Sequence, residues 1–111
     1  MEVNTIQYKH CDLVKVNGRI DSATAPKLAE ALGAITDDGR FKIVVNFSGV
    51  EFLSSAGLRA LIYTQKICKR YNRGEVVLCA MPANIAAAIE LAGFNSIFKI
   101  FDDPLMAVGS F

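Results

Sequence analysis

The stretch Phe41-Lys42-Ile43-Val44-Val45-Asn46-Phe47-Ser48-Gly49-Val50-Glu51-Phe52-Leu53-Ser54-Ser55-Ala56-Gly57-Leu58-Arg59-Ala60-Leu61 sets a β-branched apolar run directly ahead of a helical pattern. Phe41 to Phe47, bounded by Gly39 before and Ser48-Gly49 after, predicts a well-buried strand. Beyond Gly49 the chain enters a helix whose core side is Leu58, Leu61 and Ile62 and whose end is marked by Asn72-Arg73-Gly74. A strand that feeds straight into a helix is the unit of an α/β fold, and the flanking sequence repeats it on both sides.

Upstream, Thr5 to Tyr8 and Leu13 to Ile20 are extended, joined by Lys9-His10-Cys11-Asp12, a link short enough for a hairpin. In the second segment Val14, Val16, Gly18 and Ile20 alternate with Lys15, Asn17 and Arg19, the period of a strand with one face toward solvent. Asp21, Ser22 and Thr24 then offer caps for a helix with Pro26 in its first turn and Leu28, Leu32 and Ile35 on one face, ending near Asp37-Asp38-Gly39. Downstream come a strand at Val76 to Cys79 and a helix from Pro82 and Asn84 to Gly93, with Phe94 beyond it. A short strand at Ile97 to Phe101 and a terminal helix after Asp102-Asp103-Pro104 follow. Such short alternation requires crossovers, so the expected fold is α/β. It is a single domain over 1–111, with a mostly parallel sheet, alternating helices and an antiparallel N-terminal strand.

Composition limits the function. At 111 residues and 52% hydrophobic the chain can bury roughly two-thirds of its surface and needs no staples. Twelve basic against eleven acidic residues leave a net charge of +1, which disfavours nucleic acid as a partner. Cys11, Cys68 and Cys79 are odd in number, stand at unrelated spacings and form no metal pattern with the single histidine, His10, which predicts a reducing, cytoplasmic setting. Met1-Glu2-Val3-Asn4-Thr5 has neither the basic start nor the apolar stretch of a signal peptide, and no apolar run has membrane-spanning length, so no membrane partner is expected.

The chemistry concentrates at Gly49 to Leu58, where two hydroxyls arrive at a helix start. Unpaired N–H donors and the positive end of the helix dipole would both meet a phosphate carried on Ser54 or Ser55. Against that stands plain N-capping by one of the two, worth about 1 kcal/mol. No capping box supports either, since the glutamate position would be Gly57 or Leu58. Of Phe52 and Leu53, at least one is expected to be buried, and any exposed part would form an apolar rim.

Here a family resemblance becomes specific. Val44-Val45-Asn46-Phe47 with Val50 to Leu61 resembles the signature of STAS domains, in particular the bacterial anti-sigma factor antagonists. Gly18-Arg19-Ile20-Asp21 with Thr24-Ala25, and Leu91-Ala92-Gly93-Phe94 with Ile97-Phe98-Lys99-Ile100, extend the resemblance over nearly the whole chain. In that family the stretch is commonly Asp-Ser-Ser-Gly-Leu, and the serine after the aspartate is phosphorylated by a partner kinase. Aligned on Gly57-Leu58 that serine is Ser55, with Ser54 the second choice; Ser54 stands where the family has the aspartate and Ala56 where it has the next serine.

The resemblance implies partner switching. The unphosphorylated protein would dock on an anti-sigma factor serine kinase of the histidine-kinase-like ATPase fold and release sigma factor; phosphorylation would break the dock, and a serine phosphatase is a further implied partner. The implied contact residues are Asp21, Ser22, Thr24, Phe52, Leu53, Ser54, Ala56, Gly57 and Arg59, the last one turn after Ser55 and able to pair with a phosphate or with a kinase carboxylate.

Enzymes are disfavoured. A serine hydrolase needs a base, yet His10 lies in the opening link, and Leu53-x-Ser55-x-Gly57 lacks the first glycine of a nucleophile elbow. No lysine-bearing phosphate loop or GxGxxG run follows a strand, so no cofactor is expected, and His10 beside Cys11 forms no metal site. An exposed Cys11 would have only Lys9 and His10 as activators, while Cys68 and Cys79 read as small buried hydrophobes. The remaining alternative is a STAS-type interaction module with a different signalling client, independent of phosphorylation.

Overall fold

A computed structural model describes all residues, Met1–Phe111. The elements run β1 (Glu2–Gln7), β2 (Asp12–Ile20), α1 (Ala25–Asp37), β3 (Lys42–Leu53), α2 (Ser55–Lys69), β4 (Glu75–Cys79), α3 (Ala83–Leu91), β5 (Lys99–Phe101) and α4 (Pro104–Gly109). The sheet order follows the chain, β1-β2-β3-β4-β5. Only β1 is antiparallel to its neighbour, as the hairpin-like opening predicts; β2 to β5 are parallel.

Alternation within the strands divides the core. Ile43, Val45 and Phe47 of β3 and Val76 and Leu78 of β4 face one way, onto Leu28, Leu32 and Ile35 of α1, Leu58, Leu61 and Cys68 of α2, and Ile85 and Ile89 of α3. Val44, Val77 and Cys79 face the other way, where Ala107 of α4 joins Cys11 and Leu13 in a smaller cluster. Lys15 and Arg19, on the polar side of β2, stay exposed as their alternation requires.

Three elements differ from the sequence reading. β3 does not stop at Ser48-Gly49 but continues to Leu53, because its ladder to β2 continues through Asn17–Gly49, Gly18–Val50, Arg19–Phe52 and Ile20–Leu53, past two irregularities. Gly49 is compatible with this because the Asn17 side-chain amide occupies the space a Cβ would need.

At the other end of the sheet β5 is only three residues, and Gln65 of α2 continues its hydrogen bonding. The Gln65 side-chain oxygen accepts from Val76 N–H at 2.6 Å, and its nitrogen donates to Val76 O at 3.1 Å and Ile97 O at 3.0 Å. Cys11 is the third difference: it is buried, at 2% exposure, and its thiol pKa is raised, first by burial and then by the Asp12 charge. The activated surface thiol therefore drops out. Cys68 and Cys79 are buried as predicted, each pushed up to about 11 mainly by burial.

Candidate functional site at the ends of β2 and β3

Because β2 and β3 are parallel and paired to their last residues, the turns that follow them are neighbours. Ile20 pairs with Leu53, and Ser54 N–H donates to Ile20 O at 2.8 Å. This brings the β2–α1 turn, Asp21 to Thr24, beside the start of α2, a juxtaposition across more than thirty positions of sequence.

The two serines divide the roles that the sequence leaves open. Ser54 is the N-cap: its backbone is extended (φ −86°, ψ 170°), and its Oγ accepts from Gly57 N–H at 3.3 Å. Ser55 is the first helical residue, is exposed, and its hydroxyl makes no hydrogen bond within the chain. The first turn of α2 contains no acidic residue, so nothing on the helix neutralises the positive end of its dipole next to Ser55. Arg59, one turn on, is exposed and takes part in none of the chain's ion pairs.

The neighbouring turn is held by reciprocal hydrogen bonds. Asp21 Oδ1 accepts from Ala23 N–H and Thr24 N–H, each at 3.0 Å, while Thr24 Oγ1 accepts from Asp21 N–H at 2.9 Å and donates to Arg19 O at 2.8 Å. The Thr24 backbone N–H first, then the Thr24 hydroxyl at 3.1 Å from Asp21 Oδ1 and the Ala23 N–H, hold the Asp21 carboxyl below its ordinary pKa, and the Arg19 charge adds to the effect. Asp21 and Thr24 are thus the braces of this turn, and Ser22 and Ala23 are its exposed residues. Ser22, Ala25, Pro26, Ala29, Ala56 and Ala60 line a shallow groove of about 250 Å³ between α1 and α2.

Two expected contact residues point inward. Leu53 is 7% exposed and belongs to the core, so of the apolar pair only Phe52, at 39%, is available to a partner. Gly57 is buried against β2: a Cβ there would lie 2.6 Å from Ile20 Cγ2 and 2.7 Å from Leu53 Cδ1. Its role is to let the helix start approach the strand. Ala56 is half-buried beside the groove.

Two further residues join the site. The Arg19 guanidinium stands 4.5 Å from the centroid of the Phe52 ring, a cation–π contact that follows from the Arg19–Phe52 register. Asn84 Nδ2 donates to Glu51 O at 3.2 Å and ties the start of α3 to the end of β3. Arg19 was legible only as the polar-face residue before Ile20-Asp21, and nothing in the sequence marks Asn84 beyond a helix start. No three His, Cys, Asp or Glu side chains cluster closely enough to hold a metal ion.

The Ser55 hydroxyl, exposed at a helix N-terminus and without a hydrogen bond inside the chain, is open to a group delivered from outside.

The STAS domain family matches residues 2–104, and the chain belongs to that family. The anti-sigma-F factor antagonist RsfB of Mycobacterium tuberculosis is 34% identical over 90 residues, which cover 80% of this chain and 71% of RsfB. The crystal structure of an anti-sigma factor antagonist from Mycobacterium paratuberculosis superposes with a TM-score of 0.88 at 28% identity, over 98% of this chain and 92% of that one. The Bacillus cell fate determinant SpoIIAA, in its phosphorylated form, shares the fold with a TM-score of 0.77 at 11% identity, over 98% of each chain.

Proposed function

We propose that this protein is an anti-sigma factor antagonist whose unphosphorylated β3–α2 surface binds an anti-sigma factor serine kinase, and that phosphorylation of Ser55 by that kinase switches binding off. The carrying observation is the division between the serines: Ser54 is occupied as the cap, whereas Ser55 presents a free, exposed hydroxyl at a helix N-terminus whose first turn holds no acidic residue. Antagonist names among relatives such as RsfB support the role, and the phosphorylated state of SpoIIAA supports the switch. In this reading the protein is a regulator and not an enzyme, and the kinase of the histidine-kinase-like ATPase fold supplies ATP and base.

The energetics favour a binding switch over a folding switch. A phosphoserine adds about −1.5 to −2 charges, and an uncompensated charge trapped in a contact surface costs several kcal/mol, at least a hundredfold in affinity. In the free protein the helix dipole stabilises the same phosphate by only about 0.3–1 kcal/mol, so the fold persists. Ser22, Phe52, Ala56 and Arg59 are the exposed or half-exposed contacts of this surface, with Asp21 and Thr24 shaping it from beneath.

Intact mass and peptide mapping after incubation with ATP and the host's soluble extract tests the proposal. One phosphate on Ser55, absent from Ser55→Ala, is expected. A second reading rests on Ser54 standing in place of the family's carboxylate: a STAS module for another client, independent of phosphorylation. A protein that stays unmodified, and a Ser55→Asp variant that binds its partner as wild type does, would decide for it.

A further inference from the structure

The amino-terminal end of the parallel strands, opposite Ser55, carries a second concentration of chemistry. Lys9, His10, Cys11 and Asp12 of the β1–β2 link, Gly39 to Lys42 between α1 and β3, and Arg73 after α2 enclose a pocket of about 200 Å³. Five of these side chains are of basic type: Lys9, His10, Arg40, Lys42 and Arg73. The only carboxylate is Asp12, which is buried and already paired with Arg40. With His10 neutral the lining therefore carries three unbalanced positive charges, although the whole chain carries one.

Both arginines are anchored in the same manner. Arg40 donates from Nε to Asp12 and from Nη2 to Tyr8 O at 2.6 Å and Cys11 O at 3.3 Å; its Nη1 makes no hydrogen bond. Arg73 donates from Nε to Arg70 O at 3.1 Å and from Nη2 to Ile67 O at 3.3 Å, stacks over the Phe41 ring at 3.8 Å, and likewise leaves Nη1 unused. Each guanidinium is held on one side by groups of the fold, so little rotamer entropy remains to be lost when its free end meets an acceptor. The nearby Glu75 carboxylate does not compete, because Lys69 and Lys99 hold it.

We propose that this pocket is a binding site for a small, soluble phosphate-bearing anion, held by the free ends of Arg40 and Arg73 and by the Lys9 and Lys42 ammonium groups. A phosphate offers the several strong acceptors and the dense charge that such a constellation of donors matches. The site is independent of the proposed switch: it lies at the other end of the sheet and includes none of that surface.

The test is titration of the ¹⁵N-labelled full chain with pyrophosphate at low salt, followed by amide chemical shifts. Saturating shifts confined to the amides of residues 9–12, 39–42 and 73 are expected. Charge arithmetic at contact distance in water predicts a roughly fivefold or greater loss of affinity for each of Lys9→Gln and Lys42→Gln. Both lysines are exposed, so these variants should fold; Arg40→Gln would instead strand the buried Asp12 and is a poor probe. Ser55→Ala should bind as wild type does.

Shifts that fail to saturate, that appear equally at Arg59 and Lys66, or that survive both lysine substitutions would overturn the site. Sedimentation with phosphatidylglycerol vesicles distinguishes a lipid headgroup from a free phosphate. The protein should remain in the supernatant, and vesicle binding lost on Lys9→Gln and Lys42→Gln would replace the small ligand by a membrane surface.

Discussion

Substituting the two adjacent serines separately by alanine should dissociate stability from modification. Ser54→Ala removes the Oγ acceptor that satisfies Gly57 N–H, a cap bond of 3.3 Å. N-caps contribute about 0.5–2 kcal/mol, and a bond this long belongs in the lower half, so a loss of about 1 kcal/mol is expected. For a domain of this size that is a fall of roughly 4 °C in Tm. Ser55→Ala removes no hydrogen bond, exposes nothing new and places the best helix former at the first helical position, so stability should stay within about 0.5 kcal/mol of wild type.

Phosphorylation should rank the other way, with incorporation abolished in Ser55→Ala and retained in Ser54→Ala. Urea and thermal unfolding by circular dichroism give the first ranking, and phosphopeptide mapping gives the second. Equal destabilisation by the two substitutions, or phosphate found on Ser54, would refute the division of roles. Ser54→Asp keeps a capping oxygen and adds a favourable charge at the helix start, so it should be at least as stable as wild type and be phosphorylated faster.

Further predictions concern the scaffold that presents the site. Gln65→Leu should cost at least about 2 kcal/mol by urea denaturation, because it leaves Val76 N–H and two carbonyls unpaired at the edge of a buried strand; a loss below 1 kcal/mol would show that β5 or water can replace it. Gly57→Ala should lower Tm, since overpacking against Ile20 and Leu53 costs about 1–3 kcal/mol and helix propensity returns about 1. Gly33→Ala, with open space around its Cβ within α1, should instead raise Tm. Cys68 and Cys79 ionise near 11 in the folded chain and near 9 when unfolded, so the stability they contribute is complete below pH 9 and is lost as pH rises through about 11. Urea titrations from pH 8 to 11 check this, and Cys79→Ala should flatten the fall.

Local pattern was enough for most of the architecture. The β-branched run in β3, the alternation in β2 and the helical spacing of Leu28, Leu32 and Ile35 each match one period of secondary structure. Their order left a mostly parallel α/β sheet as the consistent arrangement. The same local signals located the Ser54-Ser55 junction, and the resemblance carried by Val50 to Leu61 identified the family that now matches 2–104. Where the sequence reading failed, a partner distant in the chain had overridden a local signal. Gly49 looks like a strand end, yet β2 offers it a partner; Leu53 stands among the contact residues the resemblance implies, yet parallel pairing with Ile20 turns it inward.

What the sequence by itself determined is the set of periodicities, caps and motif residues, because these depend on neighbours within one or two turns. The tertiary structure alone decided which serine is free, since capping depends on the backbone angles that pairing with β2 imposes at Ser54. It also decided that Arg19 covers Phe52, that Gln65 completes the sheet edge, and that a nearly neutral chain gathers five basic side chains around one pocket. Composition sums charge over the whole chain, and only folding brings together side chains from positions 9, 40, 42 and 73.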